Sequence, residues 1–202
     1  MPPSSRASDA DLTGRPAPAS LADAIVLDRD GQGRRLGTSW EKQACVVVML
    51  RHFGCIGCDV TVTELAPRLA ELHAAGARTV LVGNGAPAAI DGFVERHALG
   101  DKPVDVVTDP TLAAFRAAGL IRSAWATFGP SAIVDYVRAM SAGFVPRKIA
   151  GDTLQQGGAL VVDAGGRVVF HRVSKSLGDH ADGSDLVDAA LGLALRSSPM
   201  RV

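Results

Sequence analysis

Residues 45–58 read CVVVMLRHFGCIGC, a short apolar run that leads through a loop into two cysteines. The run at residues 45–50 is continuous and rich in β-branched side chains, which is typical of a strand buried on both faces of a sheet. Apolar residues at helical spacing follow the cysteines, namely Val62, Leu65, Leu69 and Leu72. The stretch therefore predicts a buried strand, a loop and a helix, with a kink at Pro67, whose ring cannot continue a regular helix.

The rest of the chain alternates strand and helix patterns. Strand patterns occur at residues 79–82, 104–107, 159–162 and 168–173, and helical patterns begin at Pro87, Asp109 and about Asp185. An Asp-Gly turn predicts a short edge hairpin within residues 24–36. The alternation implies parallel strands, and the last two strands predict an antiparallel hairpin. We therefore expect an α/β, thioredoxin-like fold: a central mixed sheet with helices on both faces and a C-terminal β-hairpin plus helix.

The length of 202 residues favours one domain. We expect it to span residues 21–196, between a disordered tail over residues 1–20 and a C-terminal tail over residues 197–202. An inserted segment at about residues 120–150 contains much of the scarce aromatic content, at Trp125, Phe128, Tyr136 and Phe144, and an apolar helical stripe, at Ile133, Val137 and Met140. These aromatic residues are expected to form an apolar wall near the cysteines, and core packing or a homodimer contact stays an alternative.

Charge and hydropathy exclude several classes of partner. The chain has 21 basic and 21 acidic residues, with no basic patch that could follow a phosphate backbone, so no nucleic acid is expected to bind. The longest strongly apolar run, residues 44–50, is far shorter than the roughly 18 to 20 residues of a transmembrane helix, so no membrane segment is expected. The first 20 residues lack the apolar stretch of a secretion signal, which predicts a cytoplasmic protein with reduced thiols.

The motif Cys55-Ile56-Gly57-Cys58 carries the predicted chemistry. It lies where a buried strand ends and a helix begins, and α/β folds usually place their chemistry at this edge of the sheet. Free N–H groups in the first helical turn and the helix dipole lower the pKa of a cysteine thiol. Two intervening residues also let the second sulfur attack a mixed disulfide or sulfenic acid formed on the first. The motif therefore predicts reversible dithiol–disulfide chemistry.

Two other interpretations of the cysteines stay open. A zinc site would need Cys45, His52 or His180 as further ligands, but no second Cys-x-x-Cys or His-x-x-x-His is present, so neither a metal nor a cofactor is expected. Alternatively, both cysteines are inert core residues, as Cys45 is expected to be. The candidate supporting residues are Arg51, His52, Gln156 and Arg172.

Four segments carry a family resemblance: RHFGCIGC at residues 51–58, GDTLQQGG at 151–158, VFHR at 169–172 and GDH at 178–180. In this order, over about residues 21–195, they resemble the bacterial peroxiredoxin-like proteins of the alkyl-hydroperoxide-reductase/thiol-specific-antioxidant (AhpC/TSA) superfamily, of the Prx-like-2 type. The resemblance implies a thioredoxin fold and a thiol-dependent antioxidant or reductase activity.

The resemblance also matches single residues of this sequence to active-site positions of typical peroxiredoxins. Cys58 matches the peroxidatic cysteine of typical peroxiredoxins, whereas Cys55, Arg51 and Gly157 stand where those enzymes have Thr or Ser, Pro and Arg. The absence of these pocket residues disfavours fast reduction of hydrogen peroxide. Asp59 stands where the resembling proteins are expected to have a basic residue, and a carboxylate facing Cys58 would raise the pKa of its thiol.

These observations lead to one function and one alternative. The chain is expected to be a thiol-dependent oxidoreductase that reduces a small organic peroxide, endoperoxide or disulfide, with electrons from a thioredoxin-type reductant or a small thiol. The alternative is a non-catalytic thioredoxin-fold binding protein that uses residues 120–150 as its recognition surface. The resemblance favours Cys58 as the attacking thiol and Cys55 as its resolving partner, whereas the thioredoxin precedent favours the reverse.

Overall fold

The computed structural model describes residues 11–145, 148–175, 178–179 and 181–197, which form a mixed sheet with helices on both faces. The seven strands are β1 Ile25–Leu27, β2 Gly33–Arg35, β3 Ala44–Met49, β4 Ala77–Gly83, β5 Asp105–Thr108, β6 Gly158–Val162 and β7 Val168–Val173. The helices are α1 Ala19–Ala22, α2 Ile56–Leu65, α3 Leu69–Ala74, α4 Ile90–Arg96, α5 Ala113–Ala117, α6 Ala124–Phe128, α7 Pro130–Ser141 and α8 Gly183–Ser197. This architecture confirms the predicted α/β fold.

The strand order across the sheet is β2-β1-β5-β4-β3-β6-β7. Strands β3, β4 and β5 run parallel, as the alternating strand and helix patterns predict, whereas β6 and β7 form the predicted antiparallel hairpin at one edge. The short β1–β2 hairpin lies at the other edge. The carboxyl ends of the three parallel strands therefore meet at one rim of the sheet, and the cysteine motif follows β3 there.

Strand β3 contributes to both apolar layers of the core. Val46 and Val48 face the layer that contains Cys55 and Cys58, together with side chains from α2, α3, α4 and α8. Cys45 and the other alternate residues of β3 face the opposite layer, with side chains from α1 and α5. The two-residue period of a strand thus places the thiol of Cys45 on the far side of the sheet from the cysteine motif.

The helix after the cysteine motif breaks at the predicted place. Helix α2 gives way to a three-residue 3₁₀ turn, Ala66–Arg68, before α3 begins. Pro67 lies in this turn, since it has no N–H for an α-helical hydrogen bond. The chain then reverses at Gly76, whose φ of 79° is available to glycine without strain.

The N-terminal segment differs from the expected disordered tail over residues 1–20. Gly14 N–H donates to the Val168 carbonyl at 2.8 Å, and Val168 N–H donates to the Arg15 carbonyl at 2.9 Å. Residues 11–20 therefore lie against the β6–β7 turn or begin α1, and only residues 1–10 of the expected tail lie outside the described residues. Helix α8 extends to Ser197, and the remainder of the expected C-terminal tail also lies outside them.

The inserted segment folds into α6 and α7. The hydroxyl of Ser123 caps α6 by accepting from Ala126 N–H, and Pro130 opens α7. Helix α7 buries only its small residues Ala132 and Ala139, and leaves its large apolar residues exposed. Within the part of the chain that the structure describes, no helix is long and apolar enough to cross a membrane.

Candidate functional site

Cys55 is the N-cap residue of α2. Its N–H donates to the His52 carbonyl at 3.1 Å, and its own carbonyl accepts from Asp59 N–H at 3.0 Å in the first helical turn. Cys55 therefore lies at the positive end of a ten-residue helix, as the sequence predicts. The thiols of Cys55 and Cys58 are both free and buried.

The two thiols differ in their electrostatic environment. A hydrogen bond from the Cys58 thiol, helped by the Arg51 guanidinium and by the Gly57 and Cys58 N–H groups, outweighs burial and lowers the pKa of Cys55 to about 7. Burial, followed by the interaction with Cys55, raises the pKa of Cys58 well above its ordinary value. Near neutral pH the negative charge of the pair therefore resides on Cys55.

Cys45 is separate from this pair. Its side chain is fully buried, as predicted for a core cysteine, and burial raises the pKa of its thiol to about 12. Among the described residues, no group of three or more Cys, His, Asp or Glu side chains could hold a metal ion. His180, which the zinc alternative invokes, lies outside those residues.

Arg51 is a buried cation next to both thiols. Its side chain reaches Thr127, and Nη2 donates to the Thr127 hydroxyl at 2.7 Å and to the Thr153 carbonyl at 3.2 Å. Its backbone N–H donates to the Cys58 sulfur at 3.1 Å. The Nε and Nη1 atoms are buried and have no hydrogen-bond partner. Arg51 thus holds a positive charge beside Cys55 and retains two unused donors.

Gln156 and Thr127 form a chain of hydrogen bonds that leads to the Arg51 guanidinium. Gln156 is fully buried, and its amide donates to the Thr127 hydroxyl at 3.2 Å and to the Leu154 carbonyl at 2.9 Å. The Thr127 hydroxyl lies between this amide and Arg51. Sequence reasoning missed Thr127, because its contact with Arg51 joins positions 76 residues apart.

His52 lies in the loop between β3 and α2, and its imidazole is uncharged at neutral pH. Its Nδ1 accepts from Gly54 N–H at 3.2 Å. Burial, followed by repulsion from Arg51, lowers the pKa of His52 to about 4. At neutral pH His52 therefore shapes the loop as an uncharged hydrogen-bond acceptor and adds no positive charge beside the thiols.

Arg172 is not brought to the cysteines. It lies on β7, and its Nη2 pairs with Asp179 at 2.6 Å in a partly exposed ion pair. Both residues border a polar cleft that also contains Asp11 and His171 and that none of the cysteines lines. Of the four candidate supporting residues, Arg51, His52 and Gln156 gather around the motif, and Arg172 does not.

A cavity of about 510 Å³ opens beside Cys55. Arg51, His52 and Cys55 line one side of it, and side chains of the inserted segment line the other, at Thr127, Phe128, Ala132, Ile133, Tyr136 and Ile149. Cys58 does not line this cavity. Of the four aromatic residues expected to form a wall, Phe128 and Tyr136 lie at it, whereas Phe144 lines a different cleft between α2 and α7.

The Asp59 carboxylate pairs with side chains of α4 and the residue after it, and it is not the main cause of the raised pKa of Cys58. Its Oδ1 accepts from His97 Nε2 at 2.9 Å and lies 3.4 Å from Arg96 Nη2. Arg96 also donates to the Phe53 carbonyl at 2.6 Å, so the end of α4 is tied both to α2 and to the loop before Cys55. Burial, rather than the Asp59 carboxylate, is the first cause of the raised pKa of Cys58.

Two further positions shape the loop: Asn84, which the sequence prediction does not include, and Gly157, which it matches to the arginine of typical peroxiredoxins. The Asn84 side chain donates to the carbonyls of Arg51 and Asp152, and so joins the loop after β3 to the segment before β6. At position 157 a Cβ atom would lie 2.7 Å from the Met49 carbonyl oxygen. This backbone therefore requires glycine at position 157, and the arginine that typical peroxiredoxins have at the matching position would not fit here.

The sheet topology, with a dithiol at the start of α2, is that of a thioredoxin-fold protein. The sequence model of the AhpC/TSA antioxidant enzymes matches residues 64–176, more than half of the chain. The chain belongs to the AhpC/TSA family, and it is an oxidoreductase. The matched range begins after the cysteine motif, so the roles of Cys55 and Cys58 have to be argued from their own geometry.

Individual relatives agree with this assignment. The chain is 34% identical over 165 residues to the prostamide/prostaglandin F synthase of Sus scrofa, covering 79% of each protein. It is 28% identical to the human peroxiredoxin-like 2C over 83% of this chain and 77% of that protein. The crystal structure of PrxQ from Xylella fastidiosa superposes with a TM-score of 0.64 at 10% identity, over 95% of this chain and all of that one. This last likeness supports the fold.

Proposed function

We propose that the protein reduces an organic peroxide, endoperoxide or disulfide through its two cysteines, with Cys55 as the attacking thiolate and Cys58 as the resolving thiol. The observation that carries this proposal is that Cys55 alone of the three cysteines combines a pKa of about 7 with a position on the large cavity. The proposal reverses the assignment that the family resemblance favours and agrees with the thioredoxin precedent.

The proposed reaction with a peroxide has two steps. The Cys55 thiolate attacks one peroxide oxygen, the O–O bond breaks, and the released alkoxide takes up a proton to leave as an alcohol. Cys58 then attacks the sulfur of the Cys55 sulfenic acid, which forms the disulfide and releases water. With a disulfide substrate, the same attack releases a thiol and forms a mixed disulfide that Cys58 resolves.

Arg51 contributes charge stabilisation to the first step. Its guanidinium lowers the pKa of Cys55, although less than the hydrogen bond from Cys58 does. Its two unused donor atoms, Nε and Nη1, are buried as well. A fixed cation at this point stabilises negative charge as it moves from sulfur to oxygen. Gln156 and Thr127 act as positioning residues that hold this guanidinium in place.

The substrate is proposed to be bulky and largely apolar. A cavity of about 510 Å³ with Phe128, Ile133 and Tyr136 on one side exceeds what hydrogen peroxide requires. Relatives that are named prostamide/prostaglandin F synthases also support a large organic substrate. A thioredoxin-type protein or a small thiol then reduces the disulfide, and we place this cycle in the cytoplasm, where such reductants keep thiols reduced.

The test uses Cys55→Ser and Cys58→Ser in a single turnover with cumene hydroperoxide, in the presence of a trap for sulfenic acid. Cys58→Ser is expected to react once and to accumulate an adduct on Cys55, because it retains the attacking thiolate. Cys55→Ser is expected to form no adduct. Peptide mapping of the oxidised protein should recover the Cys55–Cys58 disulfide.

Cys45→Ser is the matched control, since its thiol is buried on the other side of the sheet. It should behave as the unaltered protein does. An adduct on Cys58 in the Cys55→Ser protein would restore the order that the family resemblance favours. The absence of an adduct in every variant would favour the alternative of a non-catalytic binding protein. The exposed apolar residues of α7 would then be part of its recognition surface.

A further inference from the structure

The exposed large apolar side chains of the described residues are concentrated in one segment. Nine of the ten lie between residues 125 and 149, and the tenth is Ile25 on β1. The nine are Trp125, Phe128, Ile133, Val134, Tyr136, Val137, Met140, Val145 and Ile149. We call this set the α6–α7 surface. Single exposed apolar side chains are ordinary, whereas a concentration of them marks a surface that meets an apolar partner.

Helix α7 turns its large apolar residues outward. Ala132 and Ala139 are buried, whereas Ile133, Val137 and Met140, spaced i, i+4 and i+7, form a stripe that is about half exposed. A surface helix normally buries its apolar stripe, because burial is what stabilises it. A helix that lies in the plane of a lipid–water interface has its apolar stripe outward instead, since the acyl chains bury it.

The charges of this segment are unbalanced. Residues 120–150 carry a net charge of +3, although the chain as a whole is neutral, because they contain one acidic residue, Asp135, and four basic ones, Arg122, Arg138, Arg147 and Lys148. Arg138 directly follows Val137 of the α6–α7 surface, and Lys148, which is exposed, directly precedes Ile149.

The cations of the segment are also more exposed than the carboxylates that pair with them. The side chain of Arg138 is 77% exposed, and that of its partner Asp135 is 15% exposed. The side chain of Arg122 is 56% exposed, and that of its partner Asp152 is 25% exposed. The charge that this segment presents to its surroundings is therefore positive.

We infer that the α6–α7 surface docks on a lipid bilayer that contains anionic headgroups. The apolar side chains would enter the boundary between headgroups and acyl chains, and the neighbouring cations would pair with the headgroups. Tryptophan and tyrosine, which this surface contains at positions 125 and 136, are enriched at that boundary in membrane proteins. The contact is peripheral, so it needs no helix that crosses the membrane. The same positive charge disfavours a second copy as the occupant, because two such surfaces repel each other.

The docking surface is continuous with the cavity beside Cys55. Four residues belong both to the α6–α7 surface and to the lining of that cavity, namely Phe128, Ile133, Tyr136 and Ile149. Docking would therefore place the mouth of the cavity against the bilayer, and an apolar peroxide dissolved there would reach Cys55 without crossing water. This consequence rests on the proposed function, whereas the docking itself does not.

Tryptophan fluorescence of the full chain, kept reduced, tests the contact directly. The chain has two tryptophans, and Trp125 is 75% exposed whereas Trp40 is 4% exposed. Vesicles of phosphatidylcholine that contain phosphatidylserine should shift the emission to shorter wavelength, because the indole of Trp125 leaves water. Trp125→Phe should abolish this shift, and Trp40→Phe should retain it. High salt should weaken the binding, because it screens the attraction between the cations and the headgroups.

Co-sedimentation with the same vesicles tests the residues. Val137→Glu and Met140→Glu should each lower the partition coefficient by at least about tenfold, because each places a charge in the apolar part of the contact. Lys148→Gln should lower it by about fivefold, since it removes one cation near the anionic headgroups. The matched controls are Ile25→Glu and Lys42→Gln, which alter an exposed apolar residue and an exposed lysine elsewhere, and they should bind as the unaltered chain does.

Circular dichroism and thermal unfolding check that each variant is folded. The inference is overturned if vesicles with phosphatidylserine do not bind, if they bind no better than vesicles of phosphatidylcholine alone, or if both substitutions in α7 leave the binding unchanged. A dimer that forms without lipid and that Val137→Glu dissociates would also overturn it, and would assign the surface to a second copy. Cys55→Ser should bind vesicles as the unaltered chain does, so a failure of the proposed chemistry is distinguishable from a failure of docking.

Discussion

The cavity beside Cys55 has two sides of opposite character. Its floor, formed by Arg51, His52 and Cys55, is buried, and a network of hydrogen bonds fixes its polar groups. Its wall, formed by α6, α7 and the residues after them, exposes large apolar side chains, such as Phe128 and Ile133. The floor sets the charge on sulfur, and the wall can determine what reaches that sulfur.

This difference in burial predicts a difference in response to mutation. Groups in the floor lack water to replace a lost partner, so removing one of them costs stability or shifts a pKa. Groups in the wall already face solvent, so truncating them costs little stability and acts on binding alone. The two sides can therefore be separated by comparing stability, thiol reactivity and substrate preference across variants.

The largest expected effect is on stability, for Asp59→Ala. The carboxylate is 5% exposed and pairs with His97 and Arg96, so its removal leaves His97 Nε2 without this partner and Arg96 without its counter-charge. We expect a loss of about 3 kcal/mol in the free energy of unfolding, measured by urea denaturation. The control is Asp179→Ala, which breaks the partly exposed pair with Arg172 and should cost about 1 kcal/mol or less. Equal losses would show that burial does not set the strength of these pairs.

The next effect concerns the charge on the floor, through Arg51→Met. Without the guanidinium, Cys55 keeps the hydrogen bond from Cys58 but loses its nearest cation, so the pKa of Cys55 should rise. A higher pKa leaves less thiolate at pH 7 but makes that thiolate more nucleophilic, so the alkylation rate should fall about tenfold rather than more. Iodoacetamide labelling of Cys55 measures this rate.

Arg51→Lys and Arg172→Met complete that comparison. Arg51→Lys retains a positive charge and should recover part of the rate, whereas Arg172→Met removes a cation that does not line the cavity and should leave the rate unchanged. If Arg51→Met alkylates as fast as the unaltered protein, the guanidinium does not stabilise the thiolate.

The sequence predicted the floor better than the wall. The run at residues 45–50 and the motif at residues 55–58 are local patterns, so the strand, the helix start and the position of the dithiol followed from them. The partners of Arg51 and Asp59 could not be predicted in the same way, because Thr127 and His97 come from distant parts of the chain. Which thiol faces the cavity depends on the first turn of α2, and no spacing in the sequence decides it.

The wall shows a second limit of sequence reasoning. The stripe at Ile133, Val137 and Met140 was visible as a helical pattern, but periodicity alone does not say whether a stripe faces the core or solvent. Only the placement of Ala132 and Ala139 against the protein decides that the stripe faces outward. Likewise, residues 11–20 have the composition of a loose tail, yet backbone hydrogen bonds near Val168 hold part of this segment in place.

A smaller effect is expected in the wall, for Phe128→Ala. The side chain is 68% exposed, so the free energy of unfolding should change by less than about 1 kcal/mol. The rate of single turnover with cumene hydroperoxide should fall by about five- to tenfold, because the aromatic ring contacts only a bulky substrate. The rate with hydrogen peroxide should not change. Trp125→Ala is the control, since Trp125 is equally exposed but does not line the cavity. Equal losses with both peroxides would remove the reason to assign substrate preference to the wall.

The smallest expected effect is that of His52→Asn on the pH dependence of alkylation. In the unaltered protein the rate should rise with pH through about 7, because the reactive thiolate of Cys55 forms above its pKa. His52 also lies in the floor, but its pKa of about 4 keeps it neutral throughout this range, so its charge does not change as Cys55 titrates. Asparagine retains a polar acceptor for the loop and removes the titrating ring. The inflection should therefore stay within about 0.3 units of its original position. A shift of more than half a unit, with the protein still folded, would mean that His52 shares the titration and that the charge of the floor is not set by Arg51 and the two thiols alone.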